Sequence, residues 1–311
     1  MASTKSIITT LGLAALLLLS ACKPATTKTT NPVATSTQSG STATPSQPSA
    51  SATPLGPTPT QPPLAAKVNN EVITQADFDA ELQRYQAALK EVGQDAPPAD
   101  QTQTVIQEMI DQVLLAQAAK QAGYTLSDAD FQKRLDDVVA KNGGAQSFAD
   151  WLQRNFYTED TFKQALRLSL AAAWQRDQVI AAAPTTADQV HARQMLLLNE
   201  DLANKLYAQL QAGADFATLA LQVDPDSGGE LGWFPRGYLL LPEIENAAFA
   251  LQPGHYSPII KTAYGYQIIY VIERDANHPL SPDALQKAQS VYLQNWLKDR
   301  RAQSQIEILV K

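Results

Sequence analysis

Between Lys23 and Pro63 the chain is almost entirely Thr, Ser, Pro, Ala and Gln, without one aromatic residue. Such a stretch buries too little apolar surface to offset the entropy of ordering it, so it is expected to stay disordered and semi-extended. It therefore sets where folding can begin. The foldable chain starts near Ala65, and the stretch before it reads as a tether.

Ahead of the tether stand Lys5, an apolar run from Ile7 to Leu19, and then Leu19-Ser20-Ala21-Cys22. A charged start, a short apolar core and small residues at the end are the layout of a secretory signal. The core is too short for a comfortable membrane span. Leu-Ser-Ala-Cys resembles a bacterial lipobox. That resemblance implies cleavage after residue 21 and a diacylglycerol on Cys22, with each buried CH₂ contributing about 0.8 kcal/mol of anchoring. The alternative is an ordinary signal with a chance cysteine. Cys22 is the only cysteine in the sequence, so no intramolecular disulfide can form and the core must hold the fold alone.

The 24 basic and 31 acidic residues leave a net charge of −7, which argues against a nucleic-acid partner. No Walker, Rossmann or zinc spacing occurs. With one cysteine and three scattered histidines, neither a metal nor a cofactor is expected. His191, His255 and His278 have no partner in reach by sequence and read as structural or solvated.

From Ala65 the patterns become regular. Ala66–Ile73 reads as strand-turn-strand around Asn69-Asn70. Thr74, with Asp77 three residues on, reads as a helix N-cap, followed by Phe78, Leu82, Tyr85 and Leu89 at helical spacing. Pro97-Pro98 breaks that helix. A long helix is predicted over about 100–122, with Val105, Ile106, Met109, Ile110, Val113 and Leu114 on one wide face and Gly123 just past its end. Ser127 caps the next helix, which stops at Gly143-Gly144. Two more are expected, from Ser147 to about Phe156 and from Thr158 to about Ala183. Near the end, Ser281 caps an amphipathic helix through Leu285, Val291 and Trp296, and Gln305–Val310 reads as a strand. A lone helix and a lone strand cannot bury their apolar faces. Both are expected to return to the first block, the strand pairing near Lys67–Asn69.

Three blocks lie between. They are Val190-His191-Ala192-Arg193-Gln194-Met195-Leu196, then Gly228-Gly229-Glu230-Leu231-Gly232-Trp233-Phe234, then Gly265-Tyr266-Gln267-Ile268-Ile269. Their order and separation resemble the parvulin family of peptidyl-prolyl isomerases. The family usually writes A-R-H-I-L and G-Y-H-I-I, where this chain has Gln194 and Gln267. The helical block resembles the N-terminal domain of SurA/PrsA-type extracytoplasmic foldases. That likeness rests on Val68-Asn69-x-Glu71-x-Ile73-Thr74, Met109-Ile110-Asp111-x-x-Leu114-Leu115 and Ala122-Gly123-Tyr124-Thr125-Leu126-Ser127-Asp128. The resemblance implies an α+β chain: a discontinuous all-helical chaperone-like domain, 65–186 plus 279–311, carrying an inserted β-α-α-β-α-β-β lobe, 187–278. Residues 1–21 are then the signal and 22–64 the tether. Strands are expected at Val190–Leu198, around Leu231–Phe234, at Tyr256–Ile259 and at Tyr266–Glu273.

An X-Pro bond rotates over about 18–20 kcal/mol. Catalysis needs no nucleophile, only an apolar site that favours the twisted amide. By resemblance, the polar centre is Gln194, Gln267, Thr262 and Asp224, with Asp226 as the alternative aspartate. The apolar pocket is Leu231, Ile244, Phe249 and Leu239 or Leu240; the run Leu239-Leu240-Leu241 is one residue longer than the family's, so its register stays open. Each residue also has an ordinary use: core packing for Leu231 and Phe249, a turn for Asp224, a strand end for Thr262. A glutamine has donors and an acceptor and can bond across the same gap as a histidine pair, but it does not titrate. The implied function is a foldase that isomerises X-Pro bonds in unfolded or proline-containing polypeptides, held to a bacterial envelope membrane. The alternatives are a peptide-binding chaperone whose lobe is not catalytic, and a structural or substrate-binding lipoprotein.

Overall fold

The computed structural model describes residues 62–310. The signal-like segment, Cys22 and nearly all of the tether lie outside the described residues. In chain order the elements are β1 (Leu64–Val68), β2 (Glu71–Thr74), α1 (Gln75–Glu91), α2 (Pro98–Gln121), α3 (Asp128–Lys141), α4 (Ala145–Arg154) and α5 (Glu159–Ala181). There follow β3 (Thr186–Leu197), α6 (Glu200–Gln211), α7 (Phe216–Val223), β4 (Glu230–Pro235), α8 (Pro242–Ala250), β5 (Ile260–Thr262), β6 (Gly265–Pro279), α9 (Pro282–Ala302) and β7 (Ile306–Ile308).

Two compact units result. One takes the chain up to Val113 with Thr125–Leu170 and the end from Ser304; the other takes Leu114–Tyr124 and Ala171–Gln303. This division groups α9 and the last turns of α2 and α5 with the second unit, whereas the sequence reading groups them with the helical domain.

In the first unit a three-stranded sheet has the order β2-β1-β7. The β1–β2 turn uses Asn69 at φ 56, a left-handed conformation that asparagine tolerates better than most residues. β7 pairs antiparallel with β1, Ala66 opposite Ile308 and Val68 opposite Ile306, so the end of the chain returns to its start as expected. Helix starts follow the predicted caps. Asp77 N donates to Thr74 Oγ1 at 3.1 Å and Thr74 Oγ1 donates back to the Asp77 carboxylate at 2.6 Å. Ser127 and Asp130 repeat the arrangement at α3. α4 differs: it begins at Ala145 behind Gly144 at φ 92, ahead of the expected Ser147. Phe131, Leu135, Phe148, Leu152, Phe162 and Leu166 form the core under α3, α4 and α5. Burying each such side chain contributes about 1.5–3 kcal/mol.

In the second unit the sheet order is β4-β3-β6-β5, all antiparallel. Period-2 alternation sends successive β3 and β6 residues to opposite faces. Met195, Leu197 and Ile268 pack under α6 and α7 with Leu206, Phe216 and Leu219. Ala192, Ile269 and Val271 pack under α8 with Phe234, Ile244 and Phe249. One strand falls elsewhere than expected. The third strand is Ile260–Thr262, and Tyr256–Ile259 makes only an isolated bridge, Tyr256 to Tyr270. The backbone of that segment is instead tied down by Ser257, whose N–H donates to Ile269 O at 2.8 Å.

Candidate functional site

The site face begins with strand register. Gln194 lies opposite Ile269, and Leu196 opposite Gln267. The two glutamines therefore share the α8 face of the sheet, as diagonal neighbours. Gln267 is 3% exposed. Its Nε2 donates to Thr262 Oγ1 at 3.2 Å; that hydroxyl donates to Gly265 O at 3.0 Å and accepts from Tyr264 N at 3.2 Å. Thr262 thus fixes the orientation of the buried amide. The Gln194 side chain, half-buried, does not bond to Gln267. The cross-strand glutamine pair is not made, because the register offsets the two residues and Thr262 takes the Gln267 donor.

Asp224 does not reach this centre through any hydrogen bond. It closes the loop after α7, accepting from the Ser227 hydroxyl and from the N–H groups of Ser227, Asp226 and Gly229. These bonds, the Ser227 hydroxyl first, hold its carboxyl below the usual carboxylate range. The consequence for the site is indirect. The loop delivers Gly229 to β3, where Gln194 N donates to Gly229 O at 2.8 Å. A Cβ at Gly229 would lie 1.8 Å from Gln194 O, and its φ is +67. Asp226 takes part in this loop through its N–H, which donates to Asp224 Oδ1.

The apolar residues separate clearly. Leu231 and Leu239 pack, part-buried, against the cluster that contains Ile244 and Phe249. Ile244 and Phe249 are themselves fully buried, so core packing is their first role. Leu240 is 92% exposed. Of the first two leucines in the run, Leu239 and not Leu240 packs on that cluster. Leu239 and Leu241 turn inward onto the cluster and Leu240 turns outward.

A face that joins a buried amide–hydroxyl pair to an apolar cluster matches what comparison with known proteins finds. Residues 180–273 match the family described as the PPIC-type PPIASE domain, and residues 57–165 that described as the SurA-like N-terminal domain. The chain is a PrsA/SurA-like foldase with a peptidyl-prolyl cis-trans isomerase domain. It is 27% identical over 237 residues to foldase protein PrsA of Caldanaerobacter subterraneus subsp. tengcongensis, covering 66% of this chain and 72% of that one. It is 25% identical over 222 residues to foldase protein PrsA of a Geobacillus species, covering 67% and 76%. To chaperone SurA of Yersinia pestis it is 28% identical over 260 residues, covering 70% and 58%.

Three buried polar residues of the PPIC-type domain escaped sequence reasoning: Gln189, whose amide donates to the backbone of His278 and Pro279, and Glu245 and Ser257. Glu245 is 8% exposed in the first turn of α8, and its carboxylate accepts from the N–H groups of Gly237, Tyr238 and Leu239 at 2.7, 3.0 and 3.2 Å. Ser257 accepts from Ile269 N at 3.0 Å and donates to Pro258 O at 2.7 Å. None of the three carries a local signal: a glutamate early in a helix ordinarily reads as solvated.

Two of the histidines have structural partners that lie far away in sequence. His191 Nε2 is 2.5 Å from Glu230 Oε1, and its ring stacks on Trp233 at 5.4 Å. His278 stacks on the same indole at 3.9 Å and 12°. Long-range pairing explains this, since β3 sets His191 opposite Trp233 and Ala187 opposite His278. Burial pushes the Glu230 carboxyl up, but the bonds from Arg193 and His191 outweigh it and hold the carboxyl below its usual range. Among the described residues no group of three or more His, Cys, Asp or Glu could hold a metal ion, and no helix is long and apolar enough to cross a membrane.

Proposed function

We propose that the α8 face of the four-stranded sheet isomerises X-Pro bonds with an uncharged polar centre, Gln267 and Thr262 beside Gln194, next to an apolar rim of Leu231 and Leu239. The observation that carries this reading is the buried Gln267–Thr262 pair on the same face as the cluster of Ile244 and Phe249. The reaction moves no proton, so a centre that does not titrate is chemically sufficient. The apolar rim desolvates the amide and favours the twisted geometry in which resonance is lost. A thousandfold acceleration needs only about 4 kcal/mol of differential binding. The substrates in this reading are unfolded, proline-containing polypeptides, and Asp224 serves by shaping the loop that reaches Gln194.

A protease-coupled proline assay on the purified protein tests the reading. Acceleration above the uncatalysed rate is expected; a folded protein with none would sink it. Glutamine at both family histidine positions favours a second reading, a lobe that holds prolyl peptides without turning them over. Peptide binding without acceleration selects that one.

The protein is further placed outside the cytoplasm, held by lipid on Cys22 at the end of its tether. The support is the signal-like segment with its terminal Leu19-Ser20-Ala21-Cys22. Cys22→Ser is expected to move the protein from the membrane fraction to the soluble one. Unchanged partition of the variant would refute the anchor.

A further inference from the structure

Glu245 is a buried carboxylate that no cation neutralises among the described residues. A buried charge is costly unless hydrogen bonds replace its water. Here three consecutive backbone N–H groups do so: Gly237 to Oε1, and Tyr238 and Leu239 to Oε2. Their convergence needs Gly237 in the left-handed region, at φ +76. Such a nest of N–H groups around one anion fixes a short stretch of backbone with no sheet or helix of its own. Two of the three donors belong to residues whose side chains line the α8 cluster. Tyr238 and Leu239 both pack against it, beside Leu231 and above the buried Ile244 of the same helix as Glu245.

We propose that Glu245 is a positioning residue for proline binding: its carboxylate holds residues 237–239 so that Leu239 completes the apolar rim. It touches no substrate. The inference rests on the isomerase reading of this face. Glutamine has one oxygen and would turn its NH₂ group toward donors, so at least one N–H would lose its partner. Aspartate keeps both oxygens on a stem one methylene shorter.

The test uses the full chain as wild type, Glu245→Gln, Glu245→Asp, Leu239→Ala and the Glu245→Gln, Leu239→Ala pair. Steady-state kinetics on a prolyl tetrapeptide and a binding titration with the same peptide give KM, kcat and Kd, and thermal melting reports folding. Glu245→Gln is expected to raise KM and Kd about tenfold with kcat changed less than about twofold, because lost uniform binding appears in KM. Glu245→Asp recovers most of that loss. In the Leu239→Ala background the same change adds less than about twofold, since both act on one rim. A merely structural glutamate would lower the melting midpoint while leaving KM and Kd of the folded protein at the wild-type values, and that result overturns the proposal. A Glu245→Gln effect on KM and Kd that adds in full to that of Leu239→Ala overturns it as well. If Glu245→Gln does not fold, Gly237→Ala, which strains the left-handed turn that aims the first donor and brings a Cβ to nothing within 4 Å, carries the same comparison alone and with Leu239→Ala. A wild type that binds the peptide without acceleration overturns the isomerase reading only, and the Kd series still decides Glu245. A wild type that neither binds nor accelerates overturns both.

Discussion

At the residue scale the question is what glutamine does where histidine is customary. Gln267 keeps the geometry by donating to Thr262, but it gives the site nothing to titrate. Wild-type kcat/KM is therefore expected to be flat between about pH 6 and 8. The Gln194→His, Gln267→His double variant should bend the profile with a midpoint near the imidazole range, about 6.5. A wild-type profile with such a bend would mean that another group controls the rate. Gln267, Thr262 and Leu231 could be nominated from the sequence because they sit in or beside local motifs. The exposure of Leu240 was not legible for an elementary reason: three leucines in a row do not say which two face inward. Glu245 and Ser257 were invisible, since what distinguishes them is burial, and burial comes from residues distant in sequence.

At the element scale the loop from Asp224 to Gly229 matters more than any of its side chains. It brings one backbone against another, so the glycine at the contact cannot vary. Gly229→Ala would force a Cβ to within 1.8 Å of Gln194 O at a φ of +67. A loss of about 4 kcal/mol or more in urea unfolding is expected. Gly232 has the same φ of +67, but a Cβ there meets nothing within 4 Å. Gly232→Ala is accordingly expected to cost only about 1 kcal/mol, the left-handed strain alone. Equal losses would show that strain, and not the close approach, governs the loop. Helices α1, α3 and α9 could be read from their caps, as local hydrogen bonds start them. β5 could not. Tyr256–Ile259 looks like a strand, but the Ser257 side chain supplies hydrogen bonds that a longer ladder would have made.

At the scale of the whole molecule, individual carboxyl groups pull stability in opposite directions as pH changes, and each unit holds one such group. In the first, Glu108 has one carboxylate oxygen buried without a partner. Burial first, then Glu81 and Asp111, push its carboxyl up to about 7. A folded pKa above the unfolded value means the folded state binds more protons between them. This group's contribution is thus fully present in acid and is lost as pH rises from about 4 to about 7. Glu108→Gln should raise the melting midpoint at pH 8 by about 3 °C, after allowance for partial solvent screening, and by little at pH 4. Equal shifts at both values would exclude the charge as the cause. In the second unit Asp224 runs the other way: its lowered pKa stabilises above the unfolded value near 3.9 and fails as pH falls below it.

Much of this organisation is local and was readable along the chain. The low-complexity stretch marks where folding starts, helical periodicity places α1 to α5 with caps starting α1 and α3, and three ordered blocks mark the isomerase domain. Tertiary structure alone decided the rest. It packed Leu239 inward and left Leu240 exposed, gave Glu245 its three donors, offset Gln194 from Gln267, and stacked two histidines on Trp233. The physical reason is common to all four. Each depends on which strand or turn lies opposite, and a one-residue change of register would send every side chain to the other face.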